Sequence, residues 1–260
     1  MSLTTVLILT EDADWGGALG SALVSKGLCR AFHVRRAGGG DEYDLTIVEC
    51  APPRMPIATL VDEVAQLVAG VPSETVWGGP FGDAYTERNR DVSKGRASFW
   101  RSILAGLGAR SALEVGCNNG GNLRWVHALL SGPVVGLDCN QRALADAHAL
   151  GAHVVRGSGR QLPFSDGQFD LVFTMGVLVH QSDDVLPRVM AEIVRCARGW
   201  VLCGEYYSAE PIKDGGYGAD SGALLWRRDF GGDYLQLFSE LACVRKGYLP
   251  RTTHTSCDDV

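Results

Sequence analysis

The chain has no C-x-x-C pair, although its 260 residues include 8 cysteines. Cysteines at 29, 50, 117, 139, 196, 203, 243 and 257 match neither a zinc knuckle nor the disulfide framework of a small secreted domain. Reduced, largely buried thiols with no metal are the expectation, and they point to the cytoplasm. Long apolar runs are also missing. The longest, 171–179, is interrupted by Thr174 and falls well short of the roughly 20 residues that cross a bilayer. No basic segment precedes the apolar residues 6–9, so these read as a strand and not as an export signal. Basic charge is short: 24 Lys and Arg stand against 30 Asp and Glu, a net charge of −6. An acidic chain repels a phosphate backbone, so nucleic acid is not the expected partner. With 46% hydrophobic and 21% charged residues, a disordered, collagen-like or coiled-coil chain is excluded.

What the sequence does have is glycine, 33 in all, and alternating strand-like and helix-like segments. Residues 1–70 read as a small α/β unit of unknown role, with strands at 6–10, 31–35 and 43–50 and helices at 15–26 and 56–68. Acids at 11, 12 and 49 give it a faint likeness to half of a phospho-receiver domain. A sheet extension or a surface for a homodimer is the plainer reading. Residues 71–95 read as a linker and N-terminal cap. From 96 to 260 the segments are helix 97–107, strand 112–115, helix 123–130, strand 134–137, helix 142–150, strand 153–156, strand 169–174, helix 184–196 and strand 199–204. Strands that are nearly continuous apolar runs are those of a parallel sheet buried on both faces. The fold class is therefore α/β, a doubly wound, Rossmann-like sheet preceded by the small N-terminal unit.

The informative stretch is LEVGCNNGGNL, residues 113–123. A strand runs into a glycine turn and a helix leaves it, the place where an open α/β sheet binds ligands. The helix start favours an anionic group. A dinucleotide fingerprint needs glycine two residues after Gly116; Asn118 stands there, and its side chain is expected to intrude. Asp138 closes the next strand, where an acid meets ribose hydroxyls, and Glu114 ends the first. Two carboxylates suit a ligand with a cationic centre and no pyrophosphate.

The segments ALEVGCNNGGNL, VVGLDCN and GRQLPFSDGQFDLVFTMGVLVH, in this order and spacing, resemble a class I S-adenosylmethionine (SAM)-dependent methyltransferase. With DAYTERNR and VLCGEYY added, the chain looks most like the methylases associated with pseudaminic acid biosynthesis. The resemblance covers residues 80–250 and departs from the usual G-x-G-x-G at Asn118. It implies SAM as cofactor and S-adenosylhomocysteine (SAH) as product. Glu114 would sit near the methionine ammonium, Gly116, Asn118 and Gly120 in the loop, and Asp138 on the ribose with Asn140 beside it. Ser158 and Gly159 stand where the family places an acid on the adenine, and Met175 where the backbone faces the methionine part.

Methyl transfer from a sulfonium asks mainly for alignment and exclusion of water. A base is needed for a hydroxyl or a protonated amine, and His180, after the fourth strand, is one candidate; packing under a helix is the other. Glu205 is a candidate for binding a cationic or hydroxylated acceptor, flanked by Tyr206 and Tyr207, only one of which should face the site. Tyr85 and Arg88 in the cap, and Arg227 in a glycine-rich insertion at 208–232, are candidates for holding the acceptor. The expected acceptor is a small polar metabolite methylated on O or N. The alternatives are a non-catalytic SAM- or SAH-binding module with a partner-binding N-terminal unit, an RNA methyltransferase and, behind these, an NAD-binding oxidoreductase.

Overall fold

The computed structural model describes residues 7–10, 29–36, 43–50, 73–90, 95–214 and 225–248. They fall into two compact units, one within Met1–Gly82 and one formed by Asp83–Gly215 with Leu224–Val260.

In the first unit, β1 (Leu7–Thr10), β2 (Cys29–Arg36) and β3 (Tyr43–Cys50) form a sheet in the order β1-β3-β2. Both pairings are antiparallel, with Leu7 opposite Thr46 and Arg36 opposite Tyr43. This corrects the likeness to a receiver half-domain, which needs parallel strands. The helices expected at 15–26 and 56–68 lie outside the described residues. Two short helices follow, α1 (Ser73–Trp77) and α2 (Pro80–Arg88).

The second unit holds a parallel five-stranded sheet: β4 (Ala112–Val115), β5 (Val134–Asp138), β6 (His153–Arg156), β7 (Phe169–Met175) and β8 (Ala197–Gly204). Its order is β6-β5-β4-β7-β8, and every neighbouring pair is parallel. The chain winds outward from β4 through β5 to β6, then returns to place β7 on the other side of β4. The β4–β7 junction is thus the topological switch point, where such sheets open a ligand crevice. Helices α3 (Ala97–Leu104), α4 (Leu123–His127) and α5 (Gln141–Ala149) contribute Trp100, Leu123, Val126 and Leu144 to a core shared with Leu171 and Phe173. On the opposite face α6 (Leu186–Cys196) buries Leu186, Val189, Met190, Ile193 and Cys196, a helical stripe packed with Leu113, Leu137 and Val172. Residues on β7 alternate between the two cores, Leu171 and Phe173 to one and Val172 to the other, as strand geometry requires.

After β8 the expected insertion folds as a two-stranded antiparallel hairpin, β9 (Ile212–Asp214) and β10 (Leu225–Arg227), followed by α7 (Phe230–Leu237). β10 packs against the single 3-10 turn Leu178–His180 that follows β7. Asp83 begins the second unit earlier than the expected boundary at 96, because the end of α2 is tied to α5. The Asn140 side-chain Nδ2 donates to Asp83 Oδ1 at 2.9 Å, and Arg142 and Arg90 pair with Glu87 and Asp146 at 3.0 and 3.2 Å. Among the described residues no helix is long and apolar enough to cross a membrane.

Candidate active site at the carboxyl edge of the sheet

The chain leaves β4 at Gly116, with φ +76°. The Gly116 and Cys117 amides both donate to the Leu137 carbonyl at 2.7 and 3.0 Å, so the turn folds over the end of β5. A Cβ at position 116 would fall inside the Val177 side chain; glycine is required by both backbone angle and space. Asn118 is the one non-glycine residue with positive φ, +46°, among the described residues. Asparagine tolerates that left-handed conformation, and its Oδ1 accepts from the Asn119 amide at 2.6 Å. The expectation of an intruding side chain is corrected here: asparagine takes the backbone shape a glycine would have, with its oxygen turned onto its own loop.

Asp138 ends β5, and the turn is built around its carboxylate. Oδ2 accepts from the Asn118 amide at 2.7 Å and Oδ1 from the Asn140 amide at 2.8 Å. Burial pushes this carboxyl up from its ordinary value, opposed by those N–H groups. The backbone and side chain of Cys139 also hydrogen-bond to this carboxylate. Asn140 differs from its expected role. It is buried and caps α5, its Oδ1 accepting from the Ala143 amide at 2.7 Å while its Nδ2 donates to Asp83. At Gly120, with φ +76°, a Cβ would meet Ala147 and Ala152; glycine lets the turn approach α5.

Glu114 is sealed from solvent at 1% exposure. Its Oε1 accepts from Asn122 Nδ2 at 2.7 Å, and Asn122 Oδ1 accepts from Arg96 at 2.9 Å and from the Trp100 indole at 3.3 Å. Its other oxygen, Oε2, is buried without a hydrogen bond, and desolvation pushes the carboxyl up to about 8. Sequence reasoning missed Asn122, Arg96 and Trp100. The asparagine was visible in the loop, but nothing in the spacing linked it to α3.

Across the switch point, Gly176 donates to the Gly204 carbonyl at 2.8 Å, which locks the ends of β7 and β8 together. The Glu205 Oε1 accepts from the Val177 amide at 3.2 Å and Oε2 from the Val179 amide at 3.3 Å. Burial pushes this carboxyl up to about 7. Each oxygen is thus engaged by a backbone amide of the segment after β7. His180 closes the 3-10 turn, its amide donating to the Val177 carbonyl at 3.1 Å, and it is 6% exposed.

Tyr206 is half-buried against the core, with the Arg227 guanidinium 5.9 Å over its ring. Tyr207 is exposed, stacked edge-on with Tyr248 at 5.3 Å under Lys246. The two tyrosines thus differ in surroundings, and both lie beyond the end of β8 at Gly204. Ser158 bridges to Gln161, and its hydroxyl accepts from the Arg160 amide at 3.1 Å. The Cβ position of Gly159 points at Val189 and Val115, so only its backbone is turned elsewhere. Met175 ends β7 with its sulfur over Gly204. Arg88 is exposed and lies 5.9 Å over the Tyr85 ring, away from the crevice residues just described in sequence but on the helix tied to α5. Among the described residues no cluster of His, Cys, Asp or Glu could hold a metal.

Residues 112–199, from β4 to the start of β8, match the family model of a methyltransferase domain. The parallel five-stranded sheet and its flanking helices fit the Rossmann-like methyltransferase fold, and SAM is the cofactor of that class. The chain is 35% identical over 97 residues to the phthiotriol/phenolphthiotriol dimycocerosates methyltransferase of Mycobacterium tuberculosis, covering 35% of each chain. It is 30% identical over 127 residues to the sterol 24-C-methyltransferase of Yarrowia lipolytica, covering 42% of this chain and 33% of that one. A solved SAM-dependent methyltransferase of Mesorhizobium loti superposes with a TM-score of 0.44 at 21% identity, covering 56% of this chain and 81% of that one. The matched segment spans less than half the length of the curated relatives.

Proposed function

We propose that the protein is a SAM-dependent methyltransferase that acts on O or N of a small polar metabolite. It would work in the cytoplasm and without a nucleic-acid partner. The observation that carries the reading is Asp138, an acid oriented by two backbone amides at the carboxyl end of β5, beside the Gly116–Asn118 turn. The residues present suit the cofactor. Asp138 stands at the end of β5, where a carboxylate would accept from a ribose diol, Gly116 leaves backbone bare, and the buried Glu114 would act on the ligand through Asn122 and the turn. When bound, SAM supplies a methyl group already activated on a sulfonium.

The chain's own part is then alignment. The turn and Asp138 orient the nucleoside, with Ser158, the Gly159 backbone and Met175 bordering it. His180, at the end of the 3-10 turn, takes a proton on an imidazole nitrogen if the acceptor is a hydroxyl or protonated amine. Tyr206 and Arg227, on the hairpin side, face the acceptor, while Tyr85 and Arg88 contribute from the cap. The acidic balance of the chain and the pattern shared with methylases of pseudaminic acid biosynthesis support a polar acceptor over a lipid or a nucleic acid.

Calorimetric titration with SAM, SAH and NAD tests this. Micromolar binding of SAM and SAH and none of NAD supports the reading. A folded protein that binds neither SAM nor SAH overturns it.

A further inference from the structure

We propose that Glu205 is a positioning residue, whose carboxylate holds the segment after β7 so that Val177 walls the glycine turn and His180 stands at the crevice. This rests on the reading of the β4–β5 edge as the SAM site. Four observations converge on it. The backbone pairing of β7 and β8 ends at Met175 opposite Gly204, so the chain beyond has no sheet partner. The 3-10 turn Leu178–His180 has no side-chain cap of its own, and helix-start amides need an acceptor. Glu205, the first residue past β8, supplies it from across the sheet, one oxygen to Val177 and one to Val179. Val177 in turn fills the space a Cβ on Gly116 would need, and its carbonyl accepts from the His180 amide. One carboxylate therefore reaches the cofactor turn through Val177 and the candidate base through the 3-10 turn.

The other titratable groups around Glu205 are Cys203 on β8, Tyr234 on α7 and His180 on the 3-10 turn, with Thr174 of β7 contributing a hydroxyl. Asp229 and Asp233 act on Cys203 from the start of α7. None of these except Glu205 accepts from the Val177 or Val179 amide.

The test compares wild type with Glu205→Gln. The amide keeps one acceptor oxygen and turns an NH2 toward the second backbone N–H, so one bond is lost and two donors face each other. SAH affinity is measured by calorimetry at about pH 6 and about pH 8, either side of the Glu205 value of about 7. Hydrogen exchange is followed over residues 176–181. A thermal melt shows that both proteins are folded; if Glu205→Gln is not, wild-type exchange at the two pH values, corrected for intrinsic rates, carries the test. The expected result is SAH binding weakened about three- to tenfold at the higher pH, little difference at the lower, and faster exchange confined to 176–181. Equal SAH affinity with unchanged exchange would overturn the proposal. If turnover alone then fell, Glu205 would be touching the acceptor instead. Wild-type protein that binds no SAH would bring down the cofactor reading, and the exchange contrast would still decide the positioning.

Discussion

The two halves of the carboxyl edge are built differently. Around β4 and β5 the site is made of backbone: a positive-φ glycine, an asparagine in the left-handed region, and an aspartate held by one amide after β4 and one after β5. Around β7 and β8 it is made of side chains that reach between strands, with Glu205 capping a turn 26 to 28 residues earlier and β10 packed on that turn. A backbone-built site has little room for substitution, whereas a side-chain-built one can be altered without changing the fold. The first half suits a constant cofactor, and the second a variable acceptor.

The contrast predicts graded responses. The largest is Gly116→Ala, which adds left-handed strain and a collision with Val177; a loss of about 2–5 kcal/mol of stability is expected, read by denaturant unfolding. His180→Ala should leave SAH affinity intact and lower turnover roughly 10²-fold once an acceptor is known; unchanged turnover would make the histidine a packing residue. Asp138→Ala should weaken SAM binding by about 1–3 kcal/mol in a folded protein, and calorimetry showing equal affinity would remove it from the ribose.

A smaller effect concerns pH. Glu114 is pushed up to about 8 in the folded protein, against about 4.3 in an unfolded chain. Between those values the folded state holds a proton that the unfolded state releases, so stability falls as pH rises through that window. Glu114→Gln should flatten this slope in melts across the range. The smallest effect is expected of Asn118→Gly, within about 0.5 kcal/mol, because the residue already has glycine's conformation. A large loss would mean that the asparagine side chain contributes more than its bond to Asn119.

The elements of the second unit were legible because parallel buried strands are apolar runs and the helices between them carry clear stripes. Residues 112–115 and 153–156 form strands with the expected bounds, and the helix expected at 184–196 shortens only to Leu186–Cys196. The glycine turn and Asp138 were legible for a related reason: both lie within a single strand–turn–helix–strand unit, where chain order and proximity coincide. The roles of Asn140 and Glu205 were not. Asn140 is a common helix cap and also a common ligand residue, and only its bonds to Ala143 and Asp83 distinguish the two. Glu205 stands at a strand end like any site carboxylate, and the amides that occupy it belong to another loop.

The order of strands and helices, the turn that needs glycine, and the acid at the end of β5 were thus determined by the sequence alone, since each depends on residues a few positions apart. Tertiary structure decided what each carboxylate is bonded to. Glu114 is closed off by α3 and α4 through Asn122, Arg96 and Trp100, and Glu205 is taken up by Val177 and Val179. Asp138 is held by the amides of Asn118 after β4 and Asn140 after β5, so its orientation depends on two segments that only the folded sheet brings together.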